Sequence, residues 1–328
     1  MALGEFDLIA TCFSRPTPRA VLGGGDDCAL LAPRAGHHWA VSTDTLVEGR
    51  HFLSTVAPAA LGHKALAVNL SDLAACGAEP VACTLALTLP HIDLPWVQAL
   101  ADGLYTLADA HGIELVGGDT TGGPLALTLT VMGEVPAGQA LRRDGARPGD
   151  ALWVSHPADG GIGDARLALE VFRGTLSLPG EDFARVRRAM EWPQPRVVLG
   201  RGLRGLATAA IDLSDGLAGD LGHVLTRSGV GATIEAAALP RSPVLAAQTE
   251  AWQRCALLHG GDDYELLFCT ADDAATHAQV QRLADTLGLG CRRIGRIDAE
   301  PGLRLQEADG RCAPLTARAW DHFSGAAT

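Results

Sequence analysis

The sequence predicts an α+β protein built from two domains. Apolar runs of strand length alternate with stretches whose apolar residues recur at helical spacing. A segment rich in Gly, Pro and Arg, residues 136–149, interrupts both patterns near the middle of the chain. At 328 residues, each half is long enough to bury its own core. The expected division is an N-terminal domain over 1–137, a linker over 138–149 and a C-terminal domain over 150–328.

In the N-terminal half, GGGDDCALL (23–31) reads as a flexible glycine turn, two acids and a strand from Cys28. A hairpin turn explains the same residues. Next, Trp39-Ala40-Val41 reads as a buried strand that ends in Ser42-Thr43-Asp44-Thr45, four consecutive oxygen-bearing side chains. Residues 58–76 have helical spacing, interrupted by Asn69, Ser71 and Asp72; either solvent exposure or metal coordination accounts for that interruption. A strand over 81–89 and a helix over 95–110 follow. A strand over 113–116 then ends in Gly117-Gly118-Asp119, and a strand covers 124–135. The expected order is β-β-α-β-α-β-β, with the helices on one face of the sheet.

In the linker, Arg142, Arg143 and Arg147 cluster; solubility and phosphate binding explain them equally well. The second half opens with a strand over 151–155 and a glycine-rich loop, 159–163, that leads into a helix. Two helical patterns flank Pro193-Gln194-Pro195. A short strand then ends at Asp212, where Ser214 or Asp215 is placed to cap the next helix. Gly260-Gly261-Asp262-Asp263 precedes a strand from Tyr264 to Cys269, and a helix-like stretch, a strand CRRIGRI and the tail RAWDHF complete the chain.

Composition excludes several classes of function. Thirty-eight acidic against 26 basic residues give a net charge of −12, the wrong sign for a nucleic-acid surface. No apolar run is long enough to span a membrane, and MALGEFDLIATCF carries acids where a secretion signal would be basic. The eight Cys form no CxxC pair and read as small buried residues of a reducing cytoplasm, and the eleven His include no HExxH. Lys64 is the only lysine and no GxxxxGK[ST] occurs, so phosphate contacts fall to Arg, backbone N–H groups or metal.

The acids make the chemistry specific. Asp26/Asp27, Asp44, Asp119, Asp212/Asp215 and Asp262/Asp263 stand at expected strand ends, with Asp72 on a helix and Asp220 just beyond Asp215. Any one fits an ordinary turn. Together they are costly unless a cation neutralises them, and oxygen-only donors suit Mg²⁺. Mg²⁺ held by carboxylates and substrate phosphates implies metal-assisted phosphoryl transfer.

GGGDDCALL, STDTLVEGRHF, KALAVNLSDLAACGAEP, GGDTTGGP, IDLSDGL, GGDDYEL and WDHF, in this order, closely resemble the motifs of the thiamine-monophosphate kinase family. That family lies in the superfamily of aminoimidazole ribonucleotide synthetase, selenophosphate synthetase and the hydrogenase-maturation dehydratase. The resemblance runs from Gly4 to Phe323. It implies a two-domain synthetase-like fold, a mixed or antiparallel N-terminal sheet beside an α/β C-terminal domain, and a cytoplasmic homodimer paired through the N-terminal domains. It also implies phosphorylation of thiamine monophosphate by ATP, assisted by several Mg²⁺ ions, through direct in-line transfer without a covalent catalytic residue.

By motif, Asp27, Ser42, Thr43, Asp44, Asp72, Asp119, Asp212 and Asp215 look like metal ligands. Tyr105, Gly118, Asp119, Arg143 and Ser214 look like ATP contacts. His51, Asp262 and Trp320 look like the substrate set, with Trp320 stacking on the thiamine ring. Two positions depart from the family pattern: Gly24 stands where a bulky apolar residue is usual, and Asp262 where Glu is usual. Selenophosphate synthetase would need a reactive Cys and a Lys in a mobile N-terminal loop, and the hydrogenase-maturation protein a C-terminal Cys tail. Aminoimidazole ribonucleotide synthetase lacks STDTLVEGRHF and WDHF. A non-catalytic nucleotide or metal sensor would not need acids at so many positions.

Overall fold

The computed structural model describes residues 4–317. The chain divides into two compact units, one of residues up to 73 together with 78–140, the other of 74–77 together with 141 onward.

The first unit contains α1 (Glu5–Cys12), β1 (His37–Val47), α2 (Pro58–Ala75), β2 (Glu79–Leu89), α3 (Leu94–His111), β3 (Glu114–Gly122) and β4 (Ala126–Pro136). Its sheet runs β1-β4-β2-β3, antiparallel except for the parallel β2–β3 pair. Cys83, Leu85, Leu87 and Leu89 of β2 and Leu127, Leu129 and Val131 of β4 are buried, as are the apolar residues of α2 and α3. The alternate positions Thr43, Thr45, Thr84, Thr88, Thr128 and Thr130 are exposed or half-buried, so the opposite face of the sheet is open along β1, while Ala20, Ala29 and Leu31 pack over its Ala82, Val116 and Met132 end. Helices α2 and α3 cross at two glycines: a Cβ on Gly62 would lie 1.9 Å from the Leu100 carbonyl oxygen, and one on Gly103 1.9 Å from that of Ala59.

Several expectations need correction. Residues 28–31 form no strand; a single antiparallel bridge, Leu22–Leu30, closes the acidic loop. Strand β1 does not end at Ser42 but continues through Asp44 to Val47 as a half-exposed edge strand. Polar residues that the sequence reading placed after a strand are inside it, because an edge strand with one covered face needs no apolar run. Likewise β3 continues through Gly117 and Gly118. Opposite Cys83 and Thr84 of β2, Val116 of β3 is an extra residue that shifts the register of the two strands. Helix α1 was not anticipated. Among the described residues no cysteine is in a disulfide; Cys12, Cys83, Cys269 and Cys291 are buried, but Cys28, Cys76 and Cys312 are exposed.

The second unit is built from β5 (Ala151–Pro157), α4 (Asp164–Phe172), α5 (Gly180–Glu191), α6 (Val197–Gly202), β6 (Ala207–Asp212), α7 (Leu217–Ser228), β7 (Gly231–Glu235), α8 (Pro243–Ala246), α9 (Glu250–His259), β8 (Leu266–Thr270), α10 (Ala274–Leu287), β9 (Leu289–Asp298), β10 (Gly302–Gln306) and β11 (Cys312–Pro314). Among the described residues, the strands pair in the order β11-β10-β7-β9-β5-β8-β6. Leu152, Val154, Ile211, Leu221, Leu267 and Ile294 contribute to one core between sheet and helices. A buried ion pair, Arg196–Glu265, crosses it with Arg196 Nε 2.7 Å from Oε2, and the Ser155 hydroxyl also donates to Glu265. The strand expected from Tyr264 begins at Leu266, because Asp262 and Tyr264 both take left-handed φ, 67° and 51°, and cannot extend a strand.

Candidate functional site

In the first unit, a cleft of about 520 Å³ opens beside β3. Asp26, Asp27 and Cys28 of the acidic loop line one side, Val116–Thr120 another, and Phe13, Ser14 and Arg15 a third. The structure thus brings the predicted residues Asp27, Gly118 and Asp119 to one cavity, with both carboxylates exposed. Gly118 has φ 152°, and a Cβ there would lie 1.9 Å from the Leu85 carbonyl oxygen; only glycine lets β3 pass β2 this closely. Tyr105 is buried behind the rim, donating its hydroxyl to the Phe13 carbonyl at 2.9 Å. The Arg15 guanidinium lies 3.7 Å from the centroid of its ring. Burial pushes the phenol up to about 12, against the opposing effect of Arg15. Sequence reasoning missed Arg15, an isolated arginine in a segment without periodicity.

Strand β1 and helix α2 carry the second group. Ser42, Asp44 and Leu46 alternate onto the covered face. Ser42 Oγ donates to Asp72 Oδ2 at 2.5 Å, and the Asp44 N–H donates to Asn69 Oδ1 at 3.1 Å. Asn69 also donates to the Ala65 carbonyl. Asn69 and Ser71 are buried, so solvent exposure does not explain the polar interruption of this helix; Asn69 ties it to β1. Thr43 points to the uncovered face, 2.8 Å from Thr130 Oγ1, so its side chain is separated from those of Ser42 and Asp44. His51 lies in the turn after β1, where its Nδ1 accepts the Val47 N–H at 3.0 Å. A neutral ring there carries its proton on Nε2.

In the second unit, Asp212 closes β6 and Ser214-Asp215-Gly216 turns into α7. The expected cap is different: Gly216 occupies the N-cap position, and Asp220 reaches back from the first turn of α7 to accept the N–H groups of Asp215 and Gly216, each at 3.1 Å. Burial, then the charges of Asp212 and Asp215, push the Asp220 carboxyl up to about 8. Three carboxyl groups therefore crowd one strand end. Arg142 is engaged by Asp144, while the exposed Arg143 contributes its carbonyl to Ser228. In the glycine-rich loop before α4, Asp263 accepts the Gly163 N–H at 2.8 Å. Asp262 accepts the Tyr264 hydroxyl at 2.9 Å. Trp320 lies outside the described residues. Among the described residues, no three His, Cys, Asp or Glu side chains converge closely enough to hold a metal ion alone.

The AIR synthase related protein N-terminal domain matches residues 25–135, and the corresponding C-terminal domain matches residues 147–307. The chain is 43% identical to the thiamine-monophosphate kinase of Salmonella typhimurium over 331 residues, covering 99% of each chain. The chain belongs to the thiamine-monophosphate kinase family. The family enzyme of Escherichia coli K12 is also 43% identical, again over 99% of each chain. The thiamine-monophosphate kinase structure from Stenotrophomonas maltophilia superposes with a TM-score of 0.83 at 45% identity, over 93% of this chain and 95% of that one. A second family structure, AaThiL complexed with AMPPCP and TMP, gives a TM-score of 0.76 at 28% identity over 89% of each chain. The hydrogenase maturation protein HypE of E. coli, at 22% identity and a TM-score of 0.78, shares the fold. The two-domain α+β fold expected from the sequence is thus the family's own.

Proposed function

We propose that this chain phosphorylates thiamine monophosphate with ATP, giving thiamine diphosphate and ADP. The observation that carries the reading is end-to-end similarity, 43% identity over 99% of both chains, to thiamine-monophosphate kinases. A relative of 28% identity binds AMPPCP and TMP, which supports a nucleotide and a phosphorylated acceptor as the two substrates.

The site residues fit a hard cation. Asp27 and Asp119 present carboxylates to the first unit's cleft, Ser42 and Asp72 are paired, and Asp212 and Asp215 stand together beside Asp220, whose carboxyl is raised by burial and by their charges. Mg²⁺ keeps several waters and is commonly bound through one or two carboxylates plus substrate phosphates, so small groups of donors are appropriate for it. Asp27, Ser42, Asp44, Asp72, Asp119, Asp212 and Asp215 are the residues whose side chains would hold several such ions; Thr43, whose hydroxyl faces Thr130, joins them by motif alone. When bound, the ion neutralises the charge of the transferring phosphoryl group. Gly118, Asp119, Arg143 and Ser214 position ATP; Tyr105 acts from behind by holding Phe13 and Arg15. His51, Asp262 and Trp320 bind thiamine monophosphate. Transfer is direct and in line, because positioning and charge neutralisation suffice for this chemistry.

A homodimer paired through the first unit is also part of this reading. Its support is the uncovered sheet face, where Val41 is 62% and Trp39 36% exposed. The cytoplasm is the compartment proposed; no helix among the described residues is long and apolar enough to cross a membrane.

The test is ADP release by the purified protein with ATP and Mg²⁺, with and without thiamine monophosphate, and chromatography for thiamine diphosphate. Product that requires both substrate and Mg²⁺ is expected. ADP release indifferent to thiamine monophosphate would move the chain to another activity of the superfamily.

A further inference from the structure

Asp262 and Tyr264 are the non-glycine residues with positive φ among the described residues. Asp tolerates this conformation; a bulky aromatic does so only at a cost. A glycine at 264 would relieve the strain, so the tyrosine side chain is what the strained backbone retains. The surrounding main chain fixes the conformation. The Asp262 N–H donates to the Ser214 carbonyl at 2.9 Å, the Tyr264 N–H to the Leu213 carbonyl at 2.8 Å, and the Leu213 N–H to the Glu265 carbonyl at 2.9 Å. These bonds lace the turn onto the end of β6, beside Asp212 and Asp215. The ring of Tyr264 is buried, and its hydroxyl donates to Asp262 Oδ1 at 2.9 Å.

We propose that Tyr264 is a positioning residue that fixes the Asp262 carboxylate for recognition of the cationic heterocycle of the acceptor substrate. This rests on the assignment of Asp262 to substrate binding made above. A buried ring has few accessible rotamers, so its hydroxyl is a fixed donor, and a carboxylate bonded to it is oriented before substrate arrives. The lacing of the turn to residues 213 and 214 also sets the acceptor's position relative to the phosphate-handling strand end. Tyr264 acts through Asp262 and touches no reacting atom.

The experiment compares Tyr264→Phe, Asp262→Asn and the double variant in the full chain. Each is measured for KM of thiamine monophosphate, KM of ATP, kcat, thermal midpoint and calorimetric binding of thiamine monophosphate without ATP. Tyr264→Phe should raise KM and Kd for thiamine monophosphate about tenfold, the effect of losing a hydrogen bond to a charged group. KM for ATP, kcat and the midpoint should stay near wild type. The double variant should bind no more weakly than Asp262→Asn alone. Normal acceptor affinity in Tyr264→Phe beside weakened affinity in Asp262→Asn would overturn the role of Tyr264 and leave Asp262 in place. Normal affinity in Asp262→Asn would overturn the assignment of Asp262 itself, and the role of Tyr264 with it. A lowered midpoint with ATP and acceptor affinities falling together would show that Tyr264 only holds the fold.

Discussion

The hydroxyl of Ser42 donates to the carboxylate of Asp72 across 2.5 Å, joining the edge strand of the first unit to the helix that covers it. Two residues 30 apart in sequence are thereby placed side by side. The same two elements meet again where the Asp44 main-chain N–H donates to Asn69 Oδ1 at 3.1 Å.

The first prediction concerns Asp44. Asp44→Asn should leave the circular dichroism spectrum and thermal midpoint unchanged while lowering kcat about 100-fold, the equivalent of ~2.7 kcal/mol of lost charge stabilisation. Ser42→Ala should act more mildly, raising the Mg²⁺ concentration for half-maximal activity several-fold. Near-normal turnover in Asp44→Asn would remove this residue from the metal set.

A second prediction separates two adjacent glycines. A Cβ on Gly118 would meet the β2 backbone at 1.9 Å, whereas one on Gly117 would meet nothing within 4 Å. Gly118→Ala should therefore weaken nucleotide binding and lower the urea midpoint, while Gly117→Ala should keep the fold. Fluorescent-nucleotide titration and urea unfolding of both variants would decide it, and equal behaviour would contradict the close approach.

The Arg196–Glu265 pair makes a third. Arg196→Met leaves Glu265 buried with the Ser155 hydroxyl but without its guanidinium, and should cost about 3–5 kcal/mol of unfolding free energy. Adding Glu265→Gln should recover part of that loss, since no unpaired charge then remains. A single variant as stable as wild type would show that the pair is dispensable.

A fourth concerns pH. Burial raises the Asp164 carboxyl, opposed by the hydrogen bond from Ser242 and by Arg185. A carboxyl whose folded value is raised keeps its proton in the native state where the unfolded chain has released it. Its contribution to stability is therefore lost as pH climbs from about 4 toward the raised value. Asp164→Asn keeps an acceptor for Ser242 but not the titration, so its urea midpoint should fall less than that of wild type between about pH 4 and pH 8. Parallel curves would exclude Asp164 as the source.

Much of this was legible in the sequence where one face of an element is apolar. Helices α2 and α3 and strands β2 and β4 follow from periodicity, since each buries a continuous row against a neighbour. Strand β1 was legible only in part, because Ser42 and Asp44 occupy its covered face and interrupt the apolar alternation. The passage of β3 through Gly117 and Gly118 follows a bulge at Val116, whose place is set by pairing with β2 and which a local pattern does not encode. Glycine-acid motifs marked Asp27 and Asp119, which line one cleft of the first unit. The side-chain direction of Thr43, the buried place of Tyr105 and the reach of Asp220 back to its own helix start depend on burial and strand register.

Lys64, the single lysine, is 3% exposed within α2. Apart from histidine, every cationic side chain on the described surface is therefore a guanidinium. Such a surface keeps its positive charge through the alkaline range in which ammonium groups discharge, so no loss of lysine charge contributes to the change of electrophoretic mobility near pH 10. It also offers amine-selective reagents no lysine to modify until the first unit opens, which makes lysine acylation a direct report on local unfolding of that helix.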